Sequence, residues 1–491
     1  MDTPAETQLV VDGEWRPSAG GARYELHNPA SPKELVGTAA AASREDAGLA
    51  IEAAHRAFPV WAALSYEERA AYLIRIADRL VDDPKDVEAR VRLLTREHGK
   101  ILKESTMEVT RLGDRFRYCA SLAERLSEDQ RQSAPPFDTI VTRQPRGVAA
   151  LITPWNWPLS ILGAKLPQAL MSGNTVVIKL SERASLAPAL TVRRIAEVLP
   201  PGVVNLVTGM GPEVGDELVS HPLVRKVSFT GGTKIGRAIM ARAAETLKHV
   251  TLELGGNDPA LVLEDADLSE AALQRMVMGT FLTSGQVCMA VKRLYVHESR
   301  YRELVDGFSA MTEQYVVGNG LEPDVTMGPL NNKPQLETVQ AFVAEARDKG
   351  ATVREVGKVA DVETFEKGYF HLPTIVTDVD PSLQVVRCEQ FGPVVPIISF
   401  KNDDEAVAMA NDTEFGLCSS VWTQDRDRAL EVSRRLEAGY TYLNAHGPMA
   451  QDTRAPFGGF KQSGVGRNLG YDGVFEFLEP HSISAAPGWL F

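Results

Sequence analysis

Three side chains in this sequence have the types and settings needed for chemistry on a carbonyl: Cys288, Glu253 and Asn156. Cys288 closes the run Gly285-Gln286-Val287-Cys288, with Thr283 and Ser284 just ahead of it. Gly285 frees the backbone, and the two hydroxyl residues point to a loop or helix start rather than a core strand. At such a start, unpaired backbone amides favour a thiolate. A lone cysteine is more often a small buried hydrophobe, so the context carries the reading. Glu253 follows an apolar run and precedes Gly255, Gly256 and Asn257. A carboxylate at the end of a buried strand is costly unless paired or used, and burial raises its pKa towards that of a base useful near neutrality. The competing reading is a salt-bridged structural glutamate. Asn156 stands between Trp155 and Trp157, where its amide can aim a donor into a pocket and steady an oxyanion; an aromatic-capped turn is the plainer alternative.

A second group suits a dinucleotide. Phe229-Thr230-Gly231-Gly232 follows a strand-like run, and Thr233 opens a helical one. Glycines there let a diphosphate approach the amides of a helix N-terminus, although a Gly-Gly turn is common in its own right. No GxGxxG fingerprint is present, and 209–212 is a weak look-alike.

These groups need a scaffold, and 491 residues suffice for two or three domains. The hydrophobic fraction of 44% and charged fraction of 24% are those of an ordinary globular chain. The net charge of -13 (52 Lys plus Arg, 65 Asp plus Glu) argues against nucleic acid as the main partner. Four scattered cysteines make no disulfide framework, and no CxxC pair or HExxH spacing supports a metal site. The most apolar stretch, 147–171, is broken by Pro154, Asn156, Pro158 and Lys165, which opposes a membrane span. The acidic N-terminus has neither a basic start nor an apolar run, so the expectation is a reduced, soluble, cytoplasmic protein.

The first ~120 residues read as a hairpin followed by helices of plain scaffold. Ser65 with Glu68 forms a capping-box start for a helix over 66–81. From Gly147, Val- and Ile-rich runs at 148–152, 175–180, 203–207, 226–229 and 250–254 alternate with helical stretches at 183–198, 215–220 and 234–247. That alternation predicts right-handed βαβ crossovers and a parallel sheet covered on both faces. A second α/β alternation follows from Pro259 to about Leu436. The segments 133–146 and 475–483 are strand-like arms that pair with each other or with another subunit, unless they are a plain edge strand and a frayed tail.

PWNWPL (154–159), VIKLSE (177–182), FTGGTKIG (229–236), ELGGNDP (253–259), GQVC (285–288), EQFGP (389–393) and PFGGFKQSG (456–464) occur in the order seen in the aldehyde dehydrogenase superfamily, which the chain resembles along nearly its whole length. The resemblance implies an α/β fold with three parts. A Rossmann-like NAD domain takes 1–122 and 146–255, a catalytic domain 256–458, and a small β oligomerisation arm and tail 123–145 and 459–491. It implies NAD-dependent oxidation of an aldehyde to an acid in a homodimer or homotetramer. Cys288 would attack the aldehyde while Asn156 and the Cys288 backbone N–H hold the oxyanion. NAD would accept the electrons, and Glu253 would activate the water that hydrolyses the thioester.

The resemblance counts Lys179 with the catalytic set and also, with Glu182, with the residues holding the adenosine ribose. Glu182 repels a 2′-phosphate, which favours NAD over NADP. Ile152, Pro154, Trp155, Gly209, Phe229, Thr230, Gly231, Gly232, Thr233, Gly255 and Phe391 line the cofactor on the same grounds, and Glu389 holds the nicotinamide ribose. Relatives usually carry Ser at position 232 and Pro at 180, where this chain has Gly232 and Leu180. The implied aldehyde tunnel is Trp157, Val287, Met289, Met449, Gln451 and Phe457. With no evident cationic pair, that set favours a hydrophobic or aromatic aldehyde, a reading that the nearby Arg454 and His446 could overturn. The alternatives are a CoA-acylating enzyme, against which Glu253 argues, and a non-catalytic NAD-binding or structural protein, against which the presence of both Cys288 and Glu253 argues.

Overall fold

The computed structural model describes residues 4–134 and 136–490. Expectations that touch residues 1–3, Pro135 and Phe491 lie outside the described residues. Five strands form the parallel centre of an eight-stranded sheet: Val148–Ile152, Thr175–Lys179, Val204–Val207, Val224–Thr230 and His249–Glu253. Their side chains are almost all buried, as a sheet covered on both faces demands. The pleat divides them between two cores. Ala149, Leu151, Val176 and Ile178 face one, and Val148, Ala150, Ile152 and Val177 face the other. Helices Arg44–Ala62, Leu186–Ala196 and Thr233–Ala244 cover these faces. The hairpin Leu9–Val11 and Glu14–Arg16 closes one edge, and Gly464–Val465 closes the other, antiparallel to His249–Glu253.

The second sheet has seven strands, in the order Thr352–Glu355, Thr374–Thr377, Val394–Phe400, Val291–His297, Asp258–Val262, Cys418–Trp422 and Tyr440–Leu443. All neighbours are parallel except the first pair. The two extended segments do pair with each other: Leu478–Ala485 runs antiparallel to Phe137–Pro145 in register from Leu478 opposite Pro145 to Ala485 opposite Asp138. Gln130–Ala134 completes that ribbon. Less of the C-terminal segment is arm than 459–491 implies. Gly464–Val465 belongs to the eight-stranded sheet, and Val474 and Phe477 are buried in the core beneath it.

The capping box at Ser65 is formed, with the hydroxyl accepting from Glu68 N at 3.2 Å and Ser65 N donating to the Glu68 carboxylate at 2.7 Å. Its helix ends at Arg79, and Leu80 and Val81 lie beyond it. Among the described residues no helix is long and apolar enough to cross a membrane.

Candidate active site

Glu253 is the last residue of its strand, and the chain then turns through 254–257 to enter the second sheet at Asp258. The glycines make this passage narrow. A Cβ on Gly255 would stand 2.4 Å from Glu389 Oε2, and one on Gly256 would stand 2.9 Å from the Cys288 carbonyl oxygen. The crossing backbone is therefore wedged between Glu389 and the Cys288 turn. That approach needs glycine.

Cys288 lies in a turn between the 3-10 segment Leu282–Gly285 and the strand Val291–His297. Of the loop or helix start that the sequence allows, the structure has the loop. Thr283, Ser284 and Gly285 are all left-handed, with φ of 53°, 57° and 71°. Such conformations are strained in non-glycine residues and persist only where the surroundings impose them. Here the surroundings are side chains from elsewhere in the chain. Glu104 Oε1 accepts from Thr283 N at 2.8 Å, and Ser284 Oγ donates to Gly328 O at 2.7 Å. Gln286, fully buried, donates to Thr283 O at 3.1 Å and accepts from Asn331 N at 2.9 Å. Without a helix N-terminus to favour a thiolate, burial pushes the Cys288 thiol up to about 12, against the pull of the Lys292 ammonium.

Asn156 sits in the loop between the strand Val148–Ile152 and the short helix Pro158–Gly163. Its Nδ2 donates to Gln286 O at 3.0 Å, which leaves the second amide N–H for the cavity it lines. Its own carbonyl accepts from Lys100 Nζ at 2.8 Å. Lys100 in turn pairs with Glu108 at 2.6 Å, both side chains fully buried. The other Glu108 oxygen accepts from Leu159 N at 2.7 Å and Ser160 N at 3.0 Å, which caps the short helix. Breaking a buried pair of this kind costs about 3–5 kcal/mol, so the pair holds the loop firmly. Nothing in the local pattern marked Lys100, Glu104, Glu108 or Gln286 as site residues.

Cys288, Asn156 and Glu253 line one cavity, together with all six expected tunnel residues: Trp157, Val287, Met289, Met449, Gln451 and Phe457. Burial pushes the Glu253 carboxyl up to about 8, moderated by Lys165 and Arg467. Neither of its oxygens has a hydrogen-bond partner among the described residues. The same is true of Arg115 Nη1, Trp157 Nε1, Gln451 Nε2 and Asn468 Oδ1, all of which belong to residues of this cavity. Buried polar groups are nearly always satisfied, so this concentration marks a space built for a polar guest.

That finding, with the residues on the far wall, corrects the expectation of a mainly apolar tunnel without a cationic pair. Arg111 and Arg115, on the helix Leu102–Ala120, line the same cavity. The two residues flagged from sequence contribute little. Arg454 is exposed and paired with Asp452 at 2.8 Å. Burial pushes His446 down to about 3, so it is neutral, and its Nδ1 shares a 2.8 Å hydrogen bond with Ser420 Oγ.

The dinucleotide end is set by topology. Strand order reverses between Val148–Ile152 and Val224–Thr230, and the crevice at their carboxyl ends is the switch point where open α/β sheets bind nucleotides. Ile152 pairs with Phe229 on one side and with Lys179 on the other, and Thr230 pairs with Glu253. Gly232 caps the twelve-residue helix that starts at Thr233, and the space around its missing side chain is empty. Gly231 is closely packed, since an added Cβ would lie 2.5 Å from the Phe229 ring. An open helix N-terminus at a switch point fits a diphosphate.

Lys179 does not line the cavity at Cys288. Its ammonium is 3.6 Å from Glu182 and donates to Leu180 O at 3.1 Å. Gly209, with φ of 136°, is pressed against the Ala42 backbone, so packing alone accounts for that glycine. On the nicotinamide side Trp155 meets Phe391 edge-to-face at 5.5 Å, next to Pro154. Glu389 accepts from Gly256 N at 3.2 Å and lies 3.7 Å from Lys292. Of the expected site residues, Cys288, Asn156, Glu253, Thr230 and the six tunnel residues share one cavity, while Lys179 and the other expected cofactor residues lie outside its lining.

A half-buried thiol, an amide donor and a carboxyl of raised pKa around one cavity, beside a dinucleotide crevice, suit a nicotinamide-dependent oxidoreductase. The comparisons narrow this class. Residues 15–483 match the model of the aldehyde dehydrogenase family. The chain is 40% identical to the chloroplastic betaine aldehyde dehydrogenase of Beta vulgaris, over 97% of this chain and 96% of that one. It is 38% identical to the glutarate-semialdehyde dehydrogenase of Pseudomonas aeruginosa, over 96% of each. The structure of betaine aldehyde dehydrogenase from Staphylococcus aureus in complex with NAD+ superposes with a TM-score of 0.92 at 33% identity, covering 99% of this chain and 96% of that one. The chain belongs to the aldehyde dehydrogenase family, and it oxidises aldehydes with NAD as cofactor.

Proposed function

We propose that Cys288 is the nucleophile, that Asn156 Nδ2 and the Cys288 backbone N–H receive the oxyanion, and that Glu253 is the general base. The observation that carries this is the cavity lined by all three, with the Glu253 carboxylate unpaired in it. The Cys288 thiol gives up its proton as its sulfur bonds to the aldehyde carbon, and the amide donors hold the resulting oxyanion. NAD, when bound, would supply the two-electron acceptor; Lys179 and Glu182 would hold its adenosine ribose and Glu389 its nicotinamide ribose. Glu253 then takes a proton from the water that attacks the Cys288 thioester, and the product leaves as a carboxylate. Water rather than CoA is the acyl acceptor in this reading, because the base needed to activate it is in place.

The substrate is a short aldehyde with a polar, charged tail. This replaces the hydrophobic or aromatic aldehyde suggested by the apolar lining. The unpaired polar atoms of the cavity support it, and so do the relatives, named for betaine aldehyde and for glutarate semialdehyde, both charged molecules. As to organisation, the segments 1–122 and 146–255 serve NAD, 256–458 carries the nucleophile, and the strand ribbon joins subunits into a dimer or tetramer. Its strand Leu478–Ala485 is exposed along most of its length, as an unpartnered arm would be. Four free cysteines suit a reducing compartment, which supports the cytoplasmic reading.

Replacing Glu253 with Gln tests the chemistry. The expected outcome is a burst of about one NADH per subunit followed by stalled turnover, because acylation survives and hydrolysis does not. Undiminished steady-state oxidation would remove Glu253 from the mechanism. The pH profile follows from the same group. Glu253 acts only when ionised and its pKa is raised to about 8, so the rate of thioester hydrolysis should climb through that pH and level off above it. A hydrolysis rate that is flat from pH 6 to 9 under stopped-flow would contradict the assignment.

A further inference from the structure

From Arg111 and Arg115 on the cavity wall we infer that the enzyme is built for aldehydes with an anionic tail, of which the semialdehyde of a short dicarboxylic acid is the simplest. This rests on the reading that the cavity at Cys288 takes the aldehyde, and it adds the sign of the tail's charge. The helix Leu102–Ala120 carries Met107, Arg111 and Arg115 at four-residue steps, so the three share one face, and all line the cavity. Arg111 is exposed at the mouth, while Arg115 is half-buried. Gly163 lets the short helix close on the Arg115 stem, because a Cβ there would lie 3.1 Å from Arg115 Cγ.

Neither arginine has an ion-pair partner among the described residues, and burial pushes the Arg115 guanidinium down to about 10. Its Nη1 is buried with no acceptor. A guanidinium held in this way is costly unless an anion joins it, and its planar fork matches a carboxylate. Of the other unpaired groups, Trp157 Nε1 and Gln451 Nε2 are donors, whereas Asn468 Oδ1 and the Glu253 oxygens accept. Trp157 Nε1, buried without a partner on the same cavity, can only donate.

A cationic tail finds no such provision. Among the described residues Glu253 is the only Asp or Glu lining the cavity, and it stands at the reacting end. Trp157, the one tryptophan there, already has Lys100 Nζ 4.3 Å from its ring centroid, which spends that ring on a resident cation. The pocket therefore discriminates between tails by attraction of one sign and repulsion of the other.

The test compares three aldehydes of equal length, ending in a carboxylate, a methyl group or a trimethylammonium group, by kcat/KM with saturating NAD. The carboxylate should exceed the methyl compound by about tenfold or more, and the ammonium compound should fall below both. In Arg115→Gln the carboxylate-to-methyl ratio should fall by about 30-fold, chiefly through KM, and Arg115→Lys should recover part of it. Arg111→Gln, an exposed change that cannot threaten the fold, should lower the ratio by about threefold. A second readout needs no turnover: glutarate should raise the thermal midpoint of the NAD-bound parent and not that of NAD-bound Arg115→Gln. An ammonium preference, equal losses for all three aldehydes in Arg115→Gln, or no effect of glutarate would overturn the inference. Absence of NADH from every aldehyde together with a glutarate shift would instead count against the catalytic reading and leave the anion site standing.

Discussion

Glycines crowd both ends of the cleft, and they are there for opposite reasons. At the catalytic corner Gly285 has φ of 71°, and a Cβ on it would stand 2.2 Å from Gly392 O. At the dinucleotide end Gly232 has ordinary extended backbone and open space around it. The first is demanded by close packing; the second leaves room for a ligand. The contrast extends to the neighbours. The left-handed run ahead of Cys288 is held by Glu104, Gln286 and the Gly328 carbonyl, while the helix start at Thr233 is placed by strand order and needs no remote side chain. The corner that performs the chemistry is over-determined, and the mouth that admits the dinucleotide is backbone left open. Precision at the sulfur matters because a displacement of about 1 Å can cost about 100-fold in rate.

Substitutions at the two ends should therefore behave differently. The largest effect is expected from Gly285→Ala, which sets a methyl group against a carbonyl and must move the turn before Cys288. We expect kcat to fall by about 100-fold or more while NAD still binds, as judged by quenching of protein fluorescence. An active Gly285→Ala would show that the turn has slack. Next comes Glu104→Leu, which strips the acceptor from Thr283 N. An unsatisfied buried N–H costs about 1–3 kcal/mol, so we expect about a tenfold fall in kcat and a lowered thermal midpoint, with KM for NAD little changed. A change confined to KM for NAD would assign Glu104 to the wrong end. The smallest effect belongs to Gly232→Ser. The hydroxyl enters open space at a helix N-terminus, and KM for NAD should shift by less than about threefold, measured at saturating aldehyde. A tenfold loss would mean that the space is already filled by the diphosphate.

The two ends also differed in how far they could be read from sequence. The dinucleotide end was legible because its signals are local. Val- and Ile-rich runs alternate with helical ones, and each expected strand from Val148–Ile152 to His249–Glu253 is present with its ends displaced by at most two residues. Cys288, Glu253 and Asn156 were legible as types, and they meet. What holds them was not. Lys100 precedes the scaffold helix Leu102–Ala120 and Glu104 and Glu108 lie in its first two turns, far along the chain from Glu253 and Cys288, and amphipathic spacing cannot say which neighbour a buried face will meet. Arg111 and Arg115 were hidden for the same reason, and their absence from the pattern produced the mistaken apolar tunnel. The sequence left a loop or a helix start open at Cys288, because Thr283 and Ser284 mark a left-handed turn as readily as a cap.

The central claim is that the carbonyl carbon bonds to the sulfur of Cys288 and waits there for Glu253 to activate water. Intact-protein mass spectrometry of Glu253→Gln, mixed with NAD and an aldehyde and quenched in acid, measures this directly. One acyl group per chain, mapped to the peptide containing Cys288 and absent from Cys288→Ala, is the predicted result. An adduct on Cys119, Cys388 or Cys418, or NADH formed with no adduct at all, would contradict it.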